Sequence, residues 1–231
     1  MQVSAHSQPT QILYVSREFW KPGSEAALNR IEAKAARTCI QLGVPHPYLG
    51  IESLTGSKEV WYLNGFTSSE EMSLVAEQYS RNPALLTAMK QFNEERAEFM
   101  SESDKQSTAT YRQELSHGVR WSIGQGRFLV IGVSQEAPLH GGTVFETPDG
   151  ERFTVTAART RTEADATLLS AVAGVKIFAI RPDFSMPAAE WVADDPVFWG
   201  VPPPQGGQYG PPPQGYGPPP NESQGPPPGD E

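Results

Sequence analysis

Tyr111-Arg112-Gln113-Glu114-Leu115-Ser116 returns 69 residues later as Ile180-Arg181-Pro182-Asp183-Phe184-Ser185. Each hexapeptide runs from the end of a strand-like stretch into turn-forming residues. Six matched positions are weak evidence of repetition by themselves, so the order of elements around each copy decides the reading.

The first copy follows a complete set of elements. Ile12–Trp20 is rich in β-branched and aromatic residues and stops at Lys21-Pro22-Gly23, which reads as a strand and a turn. Ser24 stands where a helix N-cap belongs, and Leu28, Ile31, Ala35, Cys39 and Leu42 make one apolar helix face ending at Gly43. Pro47–Leu54 and Lys58–Phe66 flank Thr55-Gly56-Ser57 as a hairpin. Ser68 and Glu71 have capping-box spacing, and Asn82-Pro83 restarts the helix that they open. A strand over Thr108–Leu115 completes the order β-α-β-β-α-β, a ferredoxin-like split βαβ module.

The second copy closes a shorter set. Strands are expected over 127–134, 143–147, 151–158 and 176–181, with a helix over 163–173. Gln135–Gly142 is too short for a helical crossover, so this module lacks its first helix. The expected fold class is therefore α+β: tandem ferredoxin-like modules over 11–118 and 119–199 that form an α/β barrel.

The Lys21-Pro22-Gly23 strand end, the hairpin and the Asn82-Pro83-Ala84-Leu85 helix resemble the dimeric α/β-barrel superfamily. The similarity is to its NIPSNAP-like and antibiotic-biosynthesis-monooxygenase-like branches, and more closely to uncharacterised bacterial tandem-barrel proteins. In those, the second module ends in a stretch similar to Ile177-Phe178-Ala179 and Glu190 to Trp199. The resemblance covers about residues 11–199. It implies the fold but no particular activity, because the superfamily holds cofactor-independent oxygenases, isomerases, haem enzymes and proteins without a known reaction.

Alternation along the strands separates two faces. Leu13, Val15, Phe19, Leu49, Ile51, Trp61 and Leu63 form an apolar set, expected to pack under the helices. Tyr14, Ser16, Glu18, Trp20, Tyr48, Glu52, Tyr62 and Asn64 form a polar and aromatic set, expected to line the barrel interior as a pocket for a small, partly aromatic molecule. Glu18 and Glu52 are the candidate general bases, with Tyr14, Tyr62 or Asn64 available to hydrogen-bond an oxyanion. The plainer reading makes the same face structural, solvated or paired with arginines such as Arg112 and Arg127. An enzyme of this kind would be a cofactor-independent monooxygenase or isomerase acting on a small aromatic or lactone-like substrate.

Other signals are spare. Cys39 reads as a buried helix-face thiol, and a single cysteine allows no intrachain disulfide. His6, His46, His117 and His140 share no metal-pair spacing and read as exposed loop residues, with His46 and His140 the two to check as ligands. Gly124-x-Gly126 leads into a strand and is a turn rather than a nucleotide loop. No cofactor is expected. A net charge of −9 without a basic cluster disfavours nucleic acid and anionic membrane as partners. No run is long and apolar enough for a membrane span, and the polar start lacks a signal-peptide core, so a cytoplasmic protein is expected.

Residues 200–231 hold 12 of the 22 prolines and 8 of the 21 glycines. That composition predicts a disordered tail, with four Pro-Pro-Pro triplets able to dock a protein partner as polyproline II or to act as a spacer. The missing helix suggests an apolar strip over Phe128, Val130, Phe153 and Val155 that a second chain would cover. A homodimer is the expectation from this.

Overall fold

The computed structural model describes residues 10–200, and the Pro-rich tail lies outside them. Eight strands, all paired antiparallel, close into one barrel. The first module contributes β1 (Ile12–Phe19), α1 (Glu25–Gln41), β2 (Leu49–Ser53), β3 (Glu59–Phe66), α2 (Ser69–Ser80), α3 (Pro83–Arg96) and β4 (Lys105–Tyr111). The second contributes β5 (Phe128–Ser134), β6 (Thr143–Glu146), β7 (Arg152–Ala158), α4 (Arg161–Leu169) and β8 (Val175–Ile180), and a short α5 (Ala189–Asp194) follows. Around the barrel the order is β1-β3-β2-β8-β5-β7-β6-β4. The chain thus forms two four-stranded halves of equal strand order, joined at β2–β8 and at β4–β6.

Local chemistry sets the element ends. Ser68 accepts from the Glu71 amide at the start of α2, and Glu71 accepts in return from the Thr67 amide. Asn82 accepts from the Leu85 amide, with Pro83 at the first position of α3, where a missing N–H is harmless. Ser24 stands at the N-cap of α1, but its hydroxyl donates to the Lys21 carbonyl instead of capping. The strand expected over Thr108–Leu115 lies earlier, at Lys105–Tyr111, because Gln113–Leu115 folds into a 3-10 turn.

That turn has a twin. Arg112 is held by Glu114 and reaches Glu146 on β6, while Arg181 is held by Asp183 and reaches Glu52 on β2. Ser116 Oγ donates to the Arg112 carbonyl and accepts from the Val144 amide at 2.9 Å. Ser185 Oγ donates to the Arg181 carbonyl and accepts from the Gly50 amide at 2.9 Å. The echoed hexapeptides are therefore the two clasps of the barrel, each binding one half to the second strand of the other.

The lumen corrects the face assignment made from alternation. Leu13, Val15, Leu49, Ile51, Trp61 and Leu63 do not lie under the helices. They pack inside the barrel against Leu129, Ile131, Phe145, Phe153, Val155 and Phe178. Trp61 stands between Phe153 and Phe178, with ring centroids 6.1 and 4.7 Å away. Eight strands leave room for side chains and little else, so the inward set must be the apolar one. Each such side chain stabilises by about 1.5–3 kcal/mol on burial.

The open apolar strip is also corrected. Phe153 and Val155 point into the lumen and are buried. Val130, on the outer face, is covered together with Ala158, Val175 and Ile177 by α4 and Leu139. The connection over 135–142 folds back where the other half has a helix. It comes so close that a Cβ at Gly132 would lie 2.9 Å from that of Leu139.

Candidate functional site

The outer face of β1, β3 and β4 is separated from α1, α2 and α3 by a cleft of about 620 Å³. Strand register lays out its floor in rungs. Tyr14 is flanked by Asn64 and Thr108, and Ser16 by Tyr62 and Gln106. Glu18 begins the next rung, with Asp104 nearby at the entry to β4. The helices supply the roof: Glu32 and Cys39 from α1, Val75 and Tyr79 from α2, Phe92 and Arg96 from α3.

Six of the eight residues singled out from the sequence line this cleft: Tyr14, Ser16, Glu18, Tyr48, Tyr62 and Asn64. They face the helices and not the lumen, for the packing reason given above. Trp20 and Glu52 are elsewhere. Trp20 is buried with Leu28, Val60 and Phe184. Glu52 is paired with Arg181 and Lys58 in the clasp. The arginines suggested as partners have other duties, since Arg112 holds Glu146 and Arg127 holds Asp195.

At one end of the cleft lies a buried charge cluster that alternation along strands could not reveal. Glu18 is 1% exposed and Glu32 4% exposed. Both contact Arg96 Nη1, whose other terminal nitrogen reaches Asp104 Oδ2 at 3.2 Å. Tyr62 donates to Glu32 Oε2 at 2.5 Å. Burial, and then the neighbouring Glu32 charge, push the Glu18 carboxyl well above its ordinary value of 4.5. Glu32 is raised too, chiefly by burial. Three carboxyls against one guanidinium leave an excess of negative charge, which favours the protonated form of the Glu18–Glu32 pair. Tyr62 and Tyr14 are both raised, chiefly by burial, and act as neutral phenols.

Glu32 and Arg96 left a faint trace in the sequence. Glu32 sits four residues after Leu28 and seven before Cys39, a charge in the middle of an apolar helix stripe. Arg96 sits four after Phe92 and three before Phe99, in the same kind of position. Cys39 is buried, as read, and also borders the cleft. Two histidines differ from their reading. His46 is buried, its ring 4.5 Å from that of Phe66 and its Nε2 3.7 Å from Glu71. His140 is half-buried, and burial lowers its pKa. Among the described residues, no three His, Cys, Asp or Glu side chains are grouped to hold a metal ion, and no helix is long and apolar enough to cross a membrane.

The two halves of the barrel provide a comparison within one molecule. Thr110 and Ala179 precede the echoed hexapeptides and pair with Ile12 and Phe128. Ile12 and Phe128 in turn pair with Phe66 and Ala158. Stepping along the strands from these anchors puts Val130 where Tyr14 stands, Gly132 for Ser16 and Ser134 for Glu18. Thr154 and Thr156 stand for Tyr62 and Asn64, and Val175 and Ile177 for Gln106 and Thr108. In the lumen the same correspondence pairs like with like: Leu13 with Leu129, Val15 with Ile131, Trp61 with Phe153. The fold tolerates glycine and aliphatic and hydroxyl side chains at these outer positions in one half and carries a polar, aromatic, charge-bearing cleft in the other.

The architecture is an eight-stranded α/β barrel closed within one chain. No family model and no curated protein matches the sequence. Among solved structures, the chain is similar to an anthrone oxidase-like protein at 12% identity and a TM-score of 0.42, covering 78% of this chain and 94% of that one. It is similar to a candidate monooxygenase from Lactobacillus acidophilus at 10% identity and 0.40, covering 76% and 95%. A candidate antibiotic biosynthesis monooxygenase from Nitrosomonas europaea matches at 12% identity and 0.33, covering 47% of this chain and 97% of that one. At these values the likenesses carry nothing about activity, and the fold rests on the strand order itself.

Proposed function

We propose that this chain binds a small, partly aromatic molecule in the cleft between β1, β3 and β4 and the three helices above them. The observation that carries the reading is the contrast between the halves. Burying an ionisable carboxyl costs several kcal/mol even after relaxation, and the second half has Ser134 in the place of Glu18. The Glu18–Glu32–Arg96 cluster therefore answers to a ligand and not to folding. Tyr14, Tyr48, Tyr62, Tyr79 and Phe92 give such a ligand apolar and aromatic surroundings, and the volume suits a molecule of modest size.

A library of small aromatic carbonyl and hydroxyl compounds, read by thermal shift, tests this against Ala76→Trp. Ala76 is exposed on α2 at the cleft border, so the indole fills the mouth without touching the carboxyls. Compounds that stabilise the natural chain and not the variant support the reading. Compounds that stabilise both alike sink it.

One observation favours a catalytic version: two buried carboxyls gathered on one guanidinium beside a phenol. In a cofactor-independent monooxygenase or isomerase, Glu18 would remove a proton from an activated C–H of the substrate, and Tyr62 or Asn64 would donate to the developing oxyanion. Deuterium uptake from heavy water at the position next to a ligand carbonyl, lost in Glu18→Gln, is the corresponding assay.

The strip on which a homodimer would rest is covered within the chain, Phe153 and Val155 in the lumen and Val130 under α4 and Leu139. The reading we favour is a single chain whose two halves stand in for two subunits, each clasped to the other by Arg112 and Arg181. Light scattering at micromolar concentration is expected to give the monomer mass. A partner that docks on the Pro-rich tail remains a separate proposal, tested by pull-down with and without residues 201–231.

A further inference from the structure

The charge of the cleft is one-sided. Among the described residues, Glu18, Glu32 and Asp104 line it together with a single cation, Arg96, and no lysine or histidine borders it. Arg96 is already engaged by all three carboxyls. An anionic ligand would have to take the guanidinium away from them, and would bring a fourth negative charge into a poorly solvated place.

Two buried acceptor atoms have no partner within hydrogen-bond length, Glu18 Oε2 and Glu32 Oε1, and the Trp20 indole N–H, also unpaired, faces Glu18. Glu32 Oε1 lies 3.6 Å from Arg96 Nη1, an ion contact beyond hydrogen-bond length. Both belong to side chains more than nine-tenths buried that border the cleft. Unsatisfied buried acceptors cost about 1–3 kcal/mol each, and more when charged. The Trp20 indole N–H answers Glu18, and what answers Glu32 Oε1 is a donor that also brings positive charge. The rest of the lining, with Tyr14, Tyr62 and Tyr79 among it, is of the kind that attracts an organic cation through ring faces and accommodates an aromatic body.

We propose that the ligand of this cleft is a primary amine in its protonated form, attached to an aromatic body, with the ammonium facing the Glu18–Glu32 pair and donating to Glu32 Oε1. This rests on the reading of the cleft as a small-molecule site and names the chemical class it takes. Binding of the ammonium favours the ionised form of the pair, so a proton carried by either carboxyl leaves to solvent. The groups facing the pair are Tyr14 from β1, Tyr62 from β3, Arg96 from α3 and Asp104 ahead of β4. Affinity should rise with pH through the titration of the pair and fall once the amine itself loses its proton.

The test uses three probes of nearly the same shape on the full chain: 2-phenylethylamine, 2-phenylethanol and phenylacetate, titrated by calorimetry at neutral pH. The expected order is amine, then alcohol, then acid. The amine should lead the alcohol by roughly tenfold to a hundredfold, the worth of a charge-assisted hydrogen bond. Its apparent enthalpy should shift between buffers of different ionisation enthalpy, reporting the proton released. An alcohol or acid that binds as tightly as the amine overturns the proposal, as does the absence of binding by all three. Ala76→Trp separates the two levels. If it abolishes binding and the charge order is flat, the amine proposal fails and the cleft reading stands. If it leaves every affinity unchanged, the cleft reading fails as well.

Discussion

Glu18 on β1 and Glu32 on α1, 14 positions apart in sequence, share the guanidinium of Arg96 inside a wall that excludes nearly all water. Neither carboxyl helps the barrel close, and the arginine is what makes their burial tolerable.

Removing the arginine alone should therefore hurt far more than removing an acid. Arg96→Met leaves Glu18 and Glu32 buried without a cation and should destabilise by about 3–5 kcal/mol. Glu18→Gln should be neutral or stabilising. Chemical denaturation of the two variants beside the natural chain measures both, and an equal loss for each would contradict the assignment.

The same cluster sets a pH dependence. The Glu18 carboxyl is raised in the folded chain above the ordinary value of 4.5 that it regains on unfolding. Between those two values the folded state holds more protons than the unfolded state, so stability falls as pH rises through that window. Thermal melts from pH 4.5 upward should show the decline, and Glu18→Gln should flatten it. A Glu18→Gln profile with the natural slope would place the proton elsewhere.

The two clasps should behave alike. Ser185→Ala strands the Gly50 amide, and Ser116→Ala strands the Val144 amide. Each should lose about 1–3 kcal/mol by denaturant titration. A large effect at one serine and none at the other would mean that the barrel is not held symmetrically.

The segment after β8 closes one end of the barrel. Trp191 packs into the lumen cluster and lies so near Gly124 that a Cβ there would come within 2.3 Å of its indole. Gly124 also has φ +89°, a conformation that costs any other residue. Gly124→Ala should lower the melting temperature, and Trp191→Ala should cost about 3–5 kcal/mol. Trp191→Ala should also recover part of what Gly124→Ala loses when the two are combined, because it removes the collision.

Much of the fold was legible in the chain. The Tyr111 and Ile180 hexapeptides marked two turns with matching hydrogen bonds, Asn82-Pro83 marked the helix restart, and the short stretch over 135–142 left no room for a helix between β5 and β6. Alternation sorted the strand residues into the right two sets, but it cannot say which set looks inward. That depends on closure, since a lumen of eight strands must be filled by packing, and here Leu13, Val15 and Trp61 fill it. The charge cluster was harder to read. Glu18 lies on a strand, Glu32 and Arg96 on two different helices, and nothing in their spacing along the chain joins them. A lone charge inside each helix stripe was the one sign.

The account stands on the claim that the first half of the barrel carries a ligand site and the second half does not. Aromatic amine and alcohol fragments titrated into isotope-labelled protein, followed by amide and side-chain NMR shifts, measure this most directly. The account predicts shifts gathered on Tyr14, Glu18, Glu32, Tyr62 and Arg96, with the matching positions Val130, Ser134 and Thr154 unmoved. Shifts scattered over the surface, or gathered on the second set, would contradict it.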